Sequence, residues 1–168
     1  MEKGTKVTSL DVKILEQLQS DCRQSLKELS KKLKVPMSTI HDRVKRLEAG
    51  GVIKGYSAVL DPHLLGMPET SFVLVSVRHY MPDSPRALSQ QEIAAEIAKF
   101  PRVQEVHVIN GEWDLLLKIR GHSVKDIGLF VIDKLRGIRG VDRTLTIDSV
   151  LPTKETLEVD LGQVGNSE

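Results

Sequence analysis

A single cysteine, Cys22, occurs in the 168 residues. No internal disulfide can form, and no cysteine-based zinc site has the ligand spacing it needs; neither a metal nor a cofactor is expected. No stretch approaches the run of about 18 apolar residues that a membrane span requires, and the polar start Met1–Ser9 lacks the apolar centre of a signal peptide. The expectation is a cytoplasmic protein with no membrane partner. Net charge is nearly absent too, at +1, but the balance hides an asymmetry. Up to Asp61 the chain carries 12 Lys and Arg against 8 Asp and Glu; beyond it, 12 against 15. Positive charge is therefore concentrated in the first third, where a polyanion could use it. What is present in quantity is apolar residues, 40% of the chain, enough to build real cores, and two small domains fit the pattern better than one.

The first sixty residues read as three helices. Asp11 precedes Ile14, Leu15 and Leu18 at helical spacing, and its carboxylate suits the free N–H groups of a first turn. This predicts a helix to about Gln19. Ser25 and Glu28 have the spacing of a capping box before Leu26, Leu29 and Leu33, which starts a short second helix. Lys34-Val35 breaks it, and Pro36 stands where the first turn of a third helix begins, a place that needs no N–H. Ile40, Val44 and Leu47 give the third helix its buried stripe. At 100° per residue, Ser38, His41, Asp42, Lys45 and Arg46 fall opposite or beside that stripe, with Thr39 and Arg43 at its edges. Two short helices at a tight turn, the second exposing small polar residues early and cations later, have the anatomy of a helix-turn-helix with its second helix in the major groove. Ser38, Thr39, His41 and Asp42 can exchange hydrogen bonds with base edges; Lys45 and Arg46 suit phosphates. For any one of these residues a merely solvated helix surface explains it as well, but the three-helix arrangement favours double-stranded DNA. Gly50-Gly51 ends the helix, and the β-prone residues from Val52 to Leu60 predict a two-stranded wing with Lys54-Gly55 at its tip, where the lysine can meet a phosphate.

Residues 62–70, with Pro62, Gly66 and Pro68, read as a linker between a DNA-binding domain (1–61) and a second domain (71–151), followed by a tail (152–168). In the second domain, strands are expected at Ser71–His79, Val103–Ile109, Leu115–Ile119 and Val141–Leu151, with helices ending near Pro101 and spanning Val124–Leu135. A hairpin turn at Asn110–Trp113 joins the middle strands. The order β-α-β-β-α-β is the ferredoxin-like split motif, so the whole chain is α+β: a winged helix-turn-helix followed by a ferredoxin-like domain. Two helices on one face of such a sheet leave the other face needing cover, and Phe72, Leu74, Leu116 and Ile147 are candidates to line one face or the other. The sheet of a second subunit would supply that cover, and palindromic operators also favour paired helix-turn-helix units.

The blocks Leu10–Leu15, Glu28–Ser30, Ser38–Glu48 and Gly51–Tyr56 resemble the Lrp/AsnC family of feast/famine regulators, and the resemblance extends over about Leu10–Leu151. Val108–Lys118 is similar to that family's Gly-acid-aromatic-acid turn, and Val141–Thr146 to its last strand. The resemblance implies homodimers that assemble further, with a small-molecule effector, an amino acid, bound between dimers. Residue by residue, it implies effector contact at Gly111, Glu112 and Asp114 in the turn and at Thr144 and Thr146. Turn N–H groups would hold a carboxylate while Asp114 or Glu112 accepts an ammonium; the same turn is also a sound structural hairpin. Glu112 stands where the family usually has Asp, and Pro36 where it often has Ser. The segment Tyr80–Gln90, with Pro82 and Pro85, is longer than the usual connection. Two other readings compete: a ligand-binding or assembly module without DNA binding, which the retained cations Arg43, Lys45 and Arg46 disfavour, and an enzyme like the haem-biosynthesis decarboxylases of similar architecture. His79, His107 and His122 match no catalytic or metal spacing, so no catalytic residue is assigned.

Overall fold

The computed structural model describes residues 6–78, 80 and 88–164. The chain divides into two compact units, one running to Val59 and including the tail from Glu155, the other Leu60–Lys154. His79 and most of the long connection with Pro82 and Pro85 lie outside the described residues.

The first unit holds α1 (Ser9–Ser20), α2 (Leu26–Leu33) and α3 (Met37–Ala49). The cap of α1 is Thr8 rather than Asp11: the Thr8 hydroxyl accepts from the Asp11 N–H, and the Asp11 carboxylate accepts from the Thr8 N–H. Asp11 thus closes the capping box from inside the helix, as a third-position acid does. Helix α2 opens on the expected Ser25–Glu28 box and ends at Lys34, which takes a left-handed conformation at φ 56°. That reversal, with the Ser30 hydroxyl donating to the Val35 carbonyl at 2.6 Å, turns the chain tightly into α3. Pro36 caps α3 without a side-chain bond, one position before the first turn. Ile14, Leu29 and Ile40 meet at the centre, packed round by Leu10, Leu18, Leu26, Leu33, Val35 and Val44. The wing differs from expectation: Val52–Leu60 forms no strand within the single chain. An isolated two-stranded ribbon is marginal without a surface to pack on, and here Val59 and Leu60 stand in solvent.

The second unit is β1 (Glu69–Val77), α4 (Gln90–Ile97), β2 (Val103–Val108), β3 (Leu115–Gly121), α5 (Val124–Asp133), a 3-10 turn (Leu135–Gly137) and β4 (Val141–Asp148). The strands form one antiparallel sheet in the order β2-β3-β1-β4. Strand β1 starts at Glu69, inside the segment expected to be linker, because its Glu69 and Thr70 pair with Gly121 and Arg120. Val73, Val75, Leu115, Leu117 and Ile119 pack beneath Ile93, Ile97, Ile127, Phe130, Val131 and Leu135. Residues directly opposite in an antiparallel pair share a face, so the pairings Leu74 with Leu116 and Leu145, and Phe72 with Ile147, put these five side chains together on the face away from the core strand residues. Phe72, Leu145 and Ile147 are exposed there. Among the described residues no helix is long and apolar enough to cross a membrane.

Candidate functional site

Helix α3 buries Ile40 and Leu47 and turns Ser38, His41, Asp42 and Lys45 to solvent, with Thr39, Arg43 and Arg46 half-buried at its margins. The His41 imidazole lies 3.4 Å from the Asp42 carboxylate, so the two form a polar pair on the outer face. Arg43 and Arg46 are engaged otherwise than as free surface cations. Arg46 donates to the Asp11 carboxylate at 2.6 Å and to the Lys6 carbonyl at 3.0 Å; Arg43 donates to the Thr8 hydroxyl at 3.1 Å and lies 3.3 Å from the same carboxylate. Asp11 is fully buried. Burial alone would raise its pKa, but the hydrogen bonds from the Thr8 hydroxyl and amide, together with Arg46, hold it below the ordinary aspartate range. The two arginines are therefore braces between α1 and α3 as well as edge cations. Lys45 and Lys54 are exposed and belong to no salt bridge among the described residues. Beyond α3, the Tyr56 hydroxyl donates to Glu48 at 2.9 Å; burial and this bond push its pKa up to about 12, so it stays a neutral donor.

In the second unit the β2–β3 turn carries Gly111, Glu112, Trp113 and Asp114. Gly111 has φ +147°, a conformation that side chains rarely adopt, and it keeps the turn backbone open. Glu112 is exposed. Asp114 is a structural anchor: one carboxylate oxygen accepts from the Val77 N–H at 2.7 Å, where the β1–β4 register shifts, and the other from the Gln90 amide at 2.5 Å. The turn is thereby tied to the end of β1 and the start of α4. Thr144 and Thr146 pair with Val75 and Val73, so they lie on the helix-bearing face of β4, both half-buried. The sequence reading passed over two participants. Arg136, in the 3-10 turn, donates from Nε to the Thr144 hydroxyl at 2.9 Å, and Arg143 lies over the Trp113 ring at 5.2 Å. Trp113 and Arg143 bring the turn to β4 across β1. Neither link has a local sequence signature, since each depends on strand order. His107 is 3.1 Å from Glu105 and His122 bonds to the Gly66 carbonyl at 2.5 Å; these are pairwise structural contacts.

Residues 8–54 match the family model for a winged helix-turn-helix DNA-binding domain, and residues 70–157 that for the Lrp/AsnC ligand binding domain. An HTH-type transcriptional regulator of Pyrococcus horikoshii is 43% identical over 148 residues, covering 88% of this chain and 95% of that protein. The leucine-responsive regulatory protein of Rhizobium meliloti is 30% identical over 156 residues, covering 93% and 97%. Among solved structures, the transcriptional regulator NMB0573 of Neisseria meningitidis, crystallised as an L-Met complex, superposes with a TM-score of 0.83 at 28% identity, covering 94% of this chain and 98% of that one.

Proposed function

The chain belongs to the Lrp/AsnC family of transcriptional regulators, and from that premise we propose that it is a non-enzymatic, cytoplasmic regulator whose α3 reads an operator while its second unit dimerises and binds an amino-acid effector. The outer face of α3 supports this reading most directly. Ser38, His41 and Asp42 stand exposed ahead of Lys45 on a helix anchored by buried Ile40 and Leu47, which suits base contact early in the helix and phosphate contact later. Thr39, at the margin, reaches the same groove wall. A guanidinium has five donors, so Arg43 and Arg46 can hold Asp11 and still turn a nitrogen toward a phosphate; Lys54 reaches the backbone beside the groove.

The effector sits at the turn, where Gly111 exposes its backbone, Glu112 accepts an ammonium, and Asp114 holds the turn in shape. Thr144 and Thr146 line the adjoining strand. An amino acid as ligand is in keeping with the L-Met complex of the Neisseria meningitidis relative. The open sheet face bearing Phe72, Leu145 and Ile147 meets its counterpart in a second copy, and dimers associate further through the effector region.

A salt titration of binding to the DNA upstream of its own gene tests the regulator. Lys45→Ala and Lys54→Ala should weaken binding to every sequence and reduce the salt slope by about one each, whereas His41→Ala should relax sequence preference at a cost of about 1–3 kcal/mol on the best site. A protein with no preference for any promoter fragment at physiological salt would overturn the reading.

A further inference from the structure

Charge is unevenly provided at the end of the sheet where the turn meets β4. Four groups could neutralise an incoming ligand's charge, and two are occupied: Arg78 is ion-paired with Asp142, and the Asp114 carboxylate is taken up by the Val77 N–H and the Gln90 amide. Arg136 and Arg143 are the remaining guanidinia described above, one bonded only to a neutral hydroxyl and the other stacked on an indole. Neither has a carboxylate partner among the described residues. Successive residues of a strand point to opposite faces, so Arg143 and the Arg136–Thr144 pair approach β4 from its two sides. Strand β4 has β1 as its only neighbour in the sheet. It is an edge strand, and its outward N–H groups are further donors along the rim between the two guanidinia. Against these stands Glu112, the exposed acid of the turn.

A neutral amino acid presents one carboxylate and one ammonium. It would satisfy Glu112 and one guanidinium and leave the second without an anion. Guanidinium groups recognise carboxylates through paired, charge-assisted hydrogen bonds, so two of them flanking an edge strand match a ligand with two carboxylates. We propose that the effector is a small dicarboxylic amino acid of the aspartate or glutamate type, one carboxylate on Arg136 beside Thr144, the other on Arg143 beside Trp113, and the ammonium on Glu112. The proposal rests on the turn being the effector site.

The test is calorimetric titration of the full-length protein with L-aspartate, L-glutamate, L-leucine, L-methionine and L-lysine, with succinate and 2-oxoglutarate as probes lacking the ammonium. One of the two acidic amino acids should bind at least tenfold more tightly than any neutral or basic one. Arg136→Gln and Arg143→Gln should each reduce that preference about tenfold, and Arg136→Lys should restore part of it; unchanged circular dichroism and melting would show that the variants fold. The dicarboxylates without an amino group should bind more weakly than the amino acids, and Glu112→Gln should narrow that gap. Tighter binding of leucine, methionine or lysine overturns the dicarboxylate assignment while leaving an amino-acid effector at this turn intact. Binding of an acidic amino acid that neither arginine variant weakens overturns the assignment of Arg136 and Arg143. If none of the amino acids binds, the underlying effector reading fails together with the inference.

Discussion

Asp11 joins more of the first unit than any other single side chain described here. Its carboxylate completes the α1 capping box and receives both Arg43 and Arg46 from α3, so it sets how the helix bearing the DNA-facing residues lies on α1. Replacing it with alanine removes the cap and leaves two half-exposed guanidinia without their common acceptor. Asp11→Ala should therefore lower stability by about 2 kcal/mol and weaken DNA binding although Asp11 itself is buried. Thermal unfolding and a binding titration on the same variant would check both. The pH dependence has a definite sign. The folded-state pKa lies below the unfolded one, so the contribution is complete above the ordinary aspartate pKa, about 4, and fades as pH falls through the depressed value. Hydrogen exchange of the α1 amides should accelerate in that acid range in the native protein and lose this dependence in Asp11→Asn.

At the level of elements, the turns decide the geometry. Gly140 precedes β4 at φ +94°, and an added Cβ would stand 2.6 Å from the Ile93 Cδ1 and 2.9 Å from the Leu88 Cδ1. Gly140→Ala strains the backbone and pushes β4 away from α4, at a cost of about 1–3 kcal/mol, readable as a shift in the denaturant midpoint. The β2–β3 turn is held by Asp114 on Val77 and Gln90. Asp114→Ala should free the turn and lower effector affinity by disordering it, with Gln90→Ala producing a smaller loss in the same direction; parallel calorimetric titrations would show the order. The wing segment teaches a related point. Its β-prone residues are correctly composed for strands, yet composition cannot supply a neighbour, and the single chain leaves Val59 and Leu60 without one.

For the whole molecule, the sheet face opposite the helices is the feature that a single chain leaves incomplete. Phe72, Leu145 and Ile147 are 37%, 46% and 49% exposed, neighbours on one face, and an apolar cluster of this kind marks an association surface. Ile147→Asp should convert the oligomer to monomer in size-exclusion chromatography with light scattering. It should also reduce operator affinity at least tenfold, because two recognition helices bound to one palindrome act at high effective concentration. An unchanged oligomer would move the dimer contact elsewhere.

Local chemistry settled what the sequence could settle alone. The Ser25–Glu28 capping box, the 3.6-residue stripe of Ile40, Val44 and Leu47, and the alternation of helix and strand signals after Ser71 each involve residues a few positions apart, which fold against their own neighbours whatever the rest of the chain does. They were enough to define a helix-turn-helix and a β-α-β-β-α-β order. Partners far apart in the chain were decided only by tertiary structure. Asp11 meets Arg46 across 35 positions and Asp114 meets Val77 across 37, and Arg143 meets Trp113 only because β1 lies between β3 and β4. A cation on a helix face reads the same from sequence whether it is solvated, bound to DNA or bracing a buried acid; the carboxylate brought beside it by packing determines which contacts it makes.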